Sequence, residues 1–568
     1  MINQREADRT GKAHWFLPAL AMFLAVGFIM SQSRASDARQ SLQELGADVW
    51  QWRAATQPGS GDDIPRIDRP DGWAPDWSPG SIEERRARLD TFERRWQALR
   101  DAPATAAAKV DYALIGSALA RVRWEMDHVA AWQRQPHFYI DQTLAPIFTA
   151  LIPPPPVKAD RAARVLLLLE AIPSILSDAE ANLTDIRAPF RRAALSSLER
   201  VSESLSGMAD GLRPGLPQAM RADFETALHE ALTAFEGFEK FVRATGDGLS
   251  QDTSVGQESY RFFLERVAQY PFSPDDLLAM AEQEWERAVT FAELEAQRNR
   301  DVPEMPVGES LKAVEAELHA GEHAIRRFLQ EKALLSVPDW VGHYMARGLP
   351  DYLEPLSWLG VNTDQTGPGR LDENATTYLP EPSPDLGYFN LSRAKDPRPV
   401  VVHEGVPGHY LQLALSWAHP NPLRRHFYDS GPNEGIGFYA EEMMLQAGLF
   451  DDSPKTREII YSFARLRALR VEVDVKLALG EFTIAEAGAY LAEKVPMDRP
   501  TAEEEAVFFA ATPGQAISYQ IGKLQIMDFL AAARLREGDD FSLRDFHDFV
   551  WLNGNVPIAL QRQEYFAQ

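Results

Sequence analysis

The sequence contains no cysteine. That excludes a disulfide framework, a thiol nucleophile, iron–sulfur ligation and any cysteine-based zinc site, so a bound metal would rest on His, Asp or Glu. Basic charge is scarce as well: 58 Lys and Arg stand against 83 Asp and Glu, a formal net charge of −25. No nucleic-acid partner is expected, because phosphate binding needs a basic footprint. Long apolar runs are missing after residue 30, strand signals are few, and no internal repeat or long low-complexity tract is visible. What remains is ordinary globular material. Hydrophobic residues make up 45% and charged residues 25% of 568 positions, enough for a large core.

The N-terminus carries an address. Arg5, Arg9 and Lys12 stand against Glu6 and Asp8, and Phe16 to Met30 follows without a charge. That run is shorter than the ~20 apolar residues of a spanning helix. Ser33-Arg34-Ala35 offers small residues around a cut after Ala35, and the whole fits a secretory signal peptide. The alternative is an uncleaved anchor, which Trp15 at the boundary would suit. Both place the body outside the cytoplasm, in a periplasm, with residues 16–30 as the one membrane contact if uncleaved. The expected organisation is a leader over 1–35, a helical N-terminal part over 36–300 and a helical catalytic part over 301–568.

Apolar residues recur at three- and four-residue intervals over 110–126, 161–183 (with Pro173 inside), 218–243, 274–298, 309–334, 455–479, 484–494 and 514–534. Each predicts an amphipathic helix. The best strand signal is Gly387-Tyr388-Phe389-Asn390-Leu391-Ser392, after a Pro/Asp/Gly-rich stretch. The expected fold is mainly α, a large helical body with a small strand element beside the helix that carries the chemistry.

That chemistry is read in Val402-His403-Glu404-Gly405-Val406-Pro407-Gly408-His409. Zinc peptidases set two His on one helical face with a Glu beside the first to take a proton from water. Their usual His spacing is four. Spacing six turns through 600° and would put His409 on the far side of an ideal helix. Pro407 and Gly408 answer the objection, since a local bulge there could bring His409 back beside His403. A third ligand is needed, and Asn433-Glu434-Gly435-x-x-x-Tyr439-x-Glu441 resembles the third-ligand helix of zinc aminopeptidases, with Glu434 the candidate. Glu441, seven residues on, would share its face as an outer-shell or substrate-amine group. A rival motif, His319-Ala320-Gly321-Glu322-His323, matches the inverted zinc pattern with ideal spacing. Its charged surroundings, its glycine and the want of a third-ligand pattern argue against it.

The His-Glu-Gly-Val-Pro-Gly-His segment with Leu411-Gln412, then Glu434-Gly435 and Tyr439-Ala440-Glu441, is similar to the large bacterial family catalogued as domain of unknown function 885. The likeness runs on through Arg467-Ala468-Leu469-Arg470, Asp474, Thr512 to Ala516, Ser518-Tyr519, Ile521-Gly522 and Phe546-His547-Asp548. Weaker matches lie at Val110-Asp111-Tyr112 and Gly256 to Tyr260. The family is related to helical, gluzincin-like metallopeptidases. The resemblance implies Zn2+ held by His403, His409 and Glu434, with Glu404 as general base. The chain departs from the family at Tyr410, Ile436-Gly437 and Ala478, which puts specificity in question, and competence too if the His replaced by Ala478 stabilised the transition state.

On that resemblance the protein would be an exported zinc metallopeptidase, a hydrolase acting on peptides. A developing oxyanion needs a second electrophile, for which Tyr519 is the candidate, with a core tyrosine as its plain alternative. Gln515 or Lys523 could meet substrate, and the Tyr388–Ser392 strand, with Tyr388 and Asn390, could pair with an extended peptide or be buried structure. The competing functions are a zinc amidase on cell-wall peptides and a catalytically silent, metal-stabilised binding protein.

Overall fold

Helix starts follow the capping residues of the sequence. Ser273 and Asp276 cap each other's N–H groups at the head of Pro274–Arg298, and Thr483 with Glu486 does the same for Ile484–Lys494. Helix ends use glycine: Gly448 (φ +96°) closes Ser430–Ala447 and Gly480 (φ +79°) closes Pro454–Leu479. Between caps, apolar spacing decides which face is buried. Leu311–Glu331 turns Val314, Leu318, Ile325 and Leu329 inward.

The computed structural model describes residues 40–60, 67–246 and 248–567, so the expected leader lies outside the described residues. The fold is mainly α with one small mixed sheet. Every helix expected from periodicity forms, 274–298 and 484–494 with the expected bounds and the others with ends moved by up to four residues. The last begins at Ser518 rather than 514. Asp474 accounts for it, accepting the Gly514 and Ala516 N–H groups and holding that stretch as a loop.

The strand expected at 387–392 is a correction: Tyr388–Lys395 is a helix. The Tyr388 N–H donates to Asp498 Oδ2 and the Ser392 hydroxyl donates back to the Tyr388 carbonyl, while Tyr388 and Phe389 pack on Phe463. Tertiary partners thus outweigh the β preference of the aromatic pair. The strands lie just upstream, as β1 (Tyr344–Gly348), β2 (Thr363–Asp364) and β3 (Ala375–Leu379) in the order β1-β3-β2. β1 runs parallel to β3, with Tyr344 opposite Ala375, and β2 runs antiparallel, with Thr363 opposite Thr377.

One apolar core joins the helices from Pro79 to Ala244 and is closed by Tyr352, Leu353 and Leu356. A second fills the space between the Leu311–Glu331 helix, β1 and β3, Val401 and Val402, and the Ser430–Ala447 helix. A third, with Tyr260, Phe263, Val471, Val475, Ile517 and Ile521, links residues from both sides of position 300.

Candidate metal centre

His403 sits in a wide helical turn, Val401–Gly405, after which Val406 is extended (φ −122°, ψ 124°) and a new helix, His409–Trp417, begins. The spacing of six is therefore accommodated by a break between helices. Gly408 is required there, since a Cβ would stand 1.7 Å from the His403 carbonyl oxygen. Trp551 Nε1 donates to the Pro407 carbonyl at 2.6 Å and holds the break. The two imidazoles face each other with centroids 4.7 Å apart and planes at 80°.

Glu434 enters from the Ser430–Ala447 helix, which is buried on nearly every face. Its Oε2 lies 3.3 Å from His403 Nε2 and 3.2 Å from His409 Nε2. All three side chains are buried, and their ligand atoms lie within 4.8 Å of one another. Ligand atoms about 2.05 Å from a tetrahedral ion stand about 3.3 Å apart. The spacing and the N, N, O donor set fit zinc.

Glu441, two turns after Glu434, accepts from His403 Nδ1 at 2.7 Å, and Arg467 Nη2 bonds the same oxygen at 2.7 Å. With Nδ1–H committed to Glu441, His403 keeps its Nε2 turned to Glu434, the outer-shell arrangement that fixes a metal-binding tautomer. Burial alone would lower the His403 pKa, but Glu434 and Glu441 hold it up at about 9. Burial likewise works to raise Glu434, and the two imidazoles overcome it and hold the carboxyl well below its usual range.

Two glycines allow these elements to meet. A Cβ at Gly437 would lie 2.8 Å from His403 Cε1, so glycine here lets the helix lie close on the imidazole. A Cβ at Gly435 would lie 2.6 Å from Gly522 Cα, so the Glu434 and Tyr519 helices cross at backbone contact. The half-buried Tyr519 consequently stacks at 6.1 Å from His403, with planes 21° apart. Its hydroxyl makes no hydrogen bond among the described residues, and burial, then the Glu434 charge, keeps the phenol protonated against the nearby Arg470. Glu404 is half-buried, and its Oε2 is buried without a hydrogen-bond partner. Its charge reaches Tyr344, whose hydroxyl is pushed up to about 12 by burial first and Glu404 second.

The remaining expected residues are placed as follows. Gln515 is half-buried in the loop that Asp474 caps, four residues before Tyr519. Glu441, expected as an outer-shell or substrate-amine group, is 1% exposed and bonds His403 and Arg467 through Oε1. Tyr388 is bonded to Ser462 Oγ at 2.7 Å, and Asn390 is exposed on the same helix. Lys523 is buried between Glu284 and Glu442, at 2.8 and 2.9 Å. Ala478 is buried among apolar side chains of the third core, and Tyr410 donates to the Glu373 carbonyl. Arg467 belongs to the Arg467-Ala468-Leu469-Arg470 segment, whose sequence alone points to no role. Its partner Glu441 lies 26 residues away in sequence, so only the fold shows the pairing. The Asn433–Gln412–Asn555 hydrogen-bond chain that ties the ligand helices to the C-terminal segment was likewise invisible.

The chain belongs to the family described as "Bacterial protein of unknown function (DUF885)", which it matches over residues 54–564. No functionally curated protein matches it. Two solved structures share the fold. One, "a putative lipoprotein of unknown function" from Shewanella oneidensis, is 18% identical, with a TM-score of 0.64, covering 94% of this chain and 99% of its own. The other, "the putative lipoprotein from Colwellia psychrerythraea", is 16% identical, with a TM-score of 0.72 and the same coverage.

Proposed function

We propose that this protein is an exported zinc-dependent metallopeptidase. The observation that carries the reading is the Glu404 carboxylate: a buried, unpaired Oε2 on the residue next to His403, beside three converging ligands. A purely structural site has no use for such a group. His403, His409 and Glu434 would hold the ion, which supplies a Lewis acid that polarises a carbonyl and acidifies water.

Glu404 then accepts the proton of the attacking water and delivers it to the leaving amide nitrogen. Tyr519, neutral and with its hydroxyl free among the described residues, donates to the carbonyl oxygen as that oxygen gains charge. Glu441 and Arg467 keep His403 in register. Export rests on the leader pattern over Arg5–Ala35, and no cysteine is present in the 568 residues to carry a lipid on a thiol. The names of the two structural neighbours agree with export of those proteins.

Glu404→Gln tests the reading on a peptide library. The expected result is hydrolysis by the wild type, a loss of about 10²- to 10⁴-fold in the variant, and unchanged metal content. Equal turnover by both removes Glu404 as base. Cleavage of cell-wall peptides alone redirects the reading to an amidase, and no hydrolysis by zinc-loaded wild type leaves a binding protein.

A further inference from the structure

A second group of two histidines and a glutamate stands near the start of β1. Glu322 lies on the Leu311–Glu331 helix with its side chain 1% exposed. One oxygen, Oε1, takes Arg326 Nε at 2.5 Å and the Tyr344 N–H at 3.5 Å. Arg326 in turn bonds the Val341 and Gly342 carbonyls, so the carboxylate is fixed before any ligand arrives. The other oxygen, Oε2, is turned to two imidazoles. His343 Nδ1 lies 3.0 Å and His323 Nδ1 3.8 Å from it. The rings lie 4.6 Å apart at 54°, and both side chains are open to solvent, 40% and 53% exposed.

His319, the other member of the inverted motif, is excluded from the group. Its Nε2 accepts the Ala346 N–H at 2.9 Å, which makes it a pin between helix and strand. The helical H-x-x-E-H reading therefore fails, and the site that the fold assembles is a different one: Glu322 and His323 from the helix, His343 from the turn before β1.

We propose that Glu322, His323 and His343 bind a second divalent transition-metal ion, exchangeable and structural. The ligand atoms of the three residues lie within 4.8 Å of one another, and the two separations from Oε2 bracket the chord of about 3.3 Å that a tetrahedral zinc site imposes. Two imidazoles and a carboxylate select zinc, nickel or copper over magnesium or calcium. The solvent side leaves the fourth position to water. The neighbouring Arg326 charge and the exposure of both rings make the site weaker than the buried one. Its occupant would clamp the helix to β1, whose Tyr344 ring packs under Gly405 in the His403 turn.

The test is a zinc titration of the metal-stripped full-length protein, with bound metal counted at each step. The wild type is expected to take two equivalents in two phases. His343→Ala and His323→Ala should each weaken the second phase at least about tenfold and spare the first. His403→Ala should remove the first and spare the second, so the two assignments fail independently. Circular dichroism of the His323 and His343 variants, whose replaced side chains are at the surface, separates ligand loss from unfolding. A single wild-type equivalent, or a second phase unchanged in the His323/His343 double variant, overturns the proposal.

Discussion

The buried group, His403, His409 and Glu434, and the surface group, Glu322, His323 and His343, contain the same side chains and differ in what stands behind them. Behind His403 are Glu441 and Arg467, over it is Tyr519, beside it is the unpaired Glu404. Behind His343 the backbone N–H meets Asn374, and neither surface imidazole has a carboxylate on its outer nitrogen among the described residues. The carboxylate of the surface group meets an arginine as well as two imidazoles, whereas the ion-pair partners of Glu434 among the described residues are the two imidazoles alone. Ligand type alone thus does not separate a reactive centre from a clamp. The supporting residues do, because they set tautomer, proton acceptor and hydrogen-bond donor.

The largest effect that sharpens this contrast is expected at Tyr519. Tyr519→Phe should lower kcat by about 10²- to 10³-fold with zinc content and KM little changed, as for loss of one oxyanion donor. Steady-state kinetics beside metal analysis checks it, and an unchanged kcat makes Tyr519 a core residue. Glu441→Gln should follow, weakening zinc at the buried site by about 10- to 100-fold, measured by chelator competition. An unaltered affinity would make the two groups equivalent in support.

Smaller effects compare a glycine from each region. Gly437→Ala drives a methyl into the His403 ring and should cost about 1–3 kcal/mol in chemical denaturation, with weaker zinc binding. Gly321→Ala, beside Glu322, meets Arg398 Cγ at 3.2 Å, a side chain held by Asp396, and the helix gain from losing a glycine offsets that contact, so stability should change by less than about 1 kcal/mol. Equal outcomes would deny that the buried site is the more tightly packed.

The smallest concerns the loop before Tyr519. Burial raises Asp474 to about 7 against the hydrogen bonds from Tyr260, Gly514 and Ala516. Between the ordinary Asp value near 3.8 and about 7 the folded state holds the extra proton, so this group's contribution to stability falls as pH rises through that window. Asp474→Asn should flatten the slope between pH 4 and 7, and parallel curves for the two proteins would contradict it.

Much of the fold was legible. Capping pairs such as Ser273/Asp276 and the 3–4 spacing of Val314, Leu318, Ile325 and Leu329 are local, and local signals survive folding. The closeness of His403 and His409 was legible through Pro407-Gly408, because that pair interrupts a helix. The misread segment, 387–392, owes its helix to Asp498 and Phe463, which are remote in sequence. The outer contacts of the site were hidden for the same reason: Arg467 meets Glu441, and Gly435 meets Gly522, only after the helices have packed. His343 gains partners only when β1 is set against the Glu322 helix.

The most direct measurement is the metal content of the purified protein after dialysis, compared with His403→Ala and His343→Ala. The account predicts about one tightly held zinc per chain in the wild type and in His343→Ala, and none in His403→Ala. Zinc retained by His403→Ala, or none in the wild type after zinc supplementation, would contradict it.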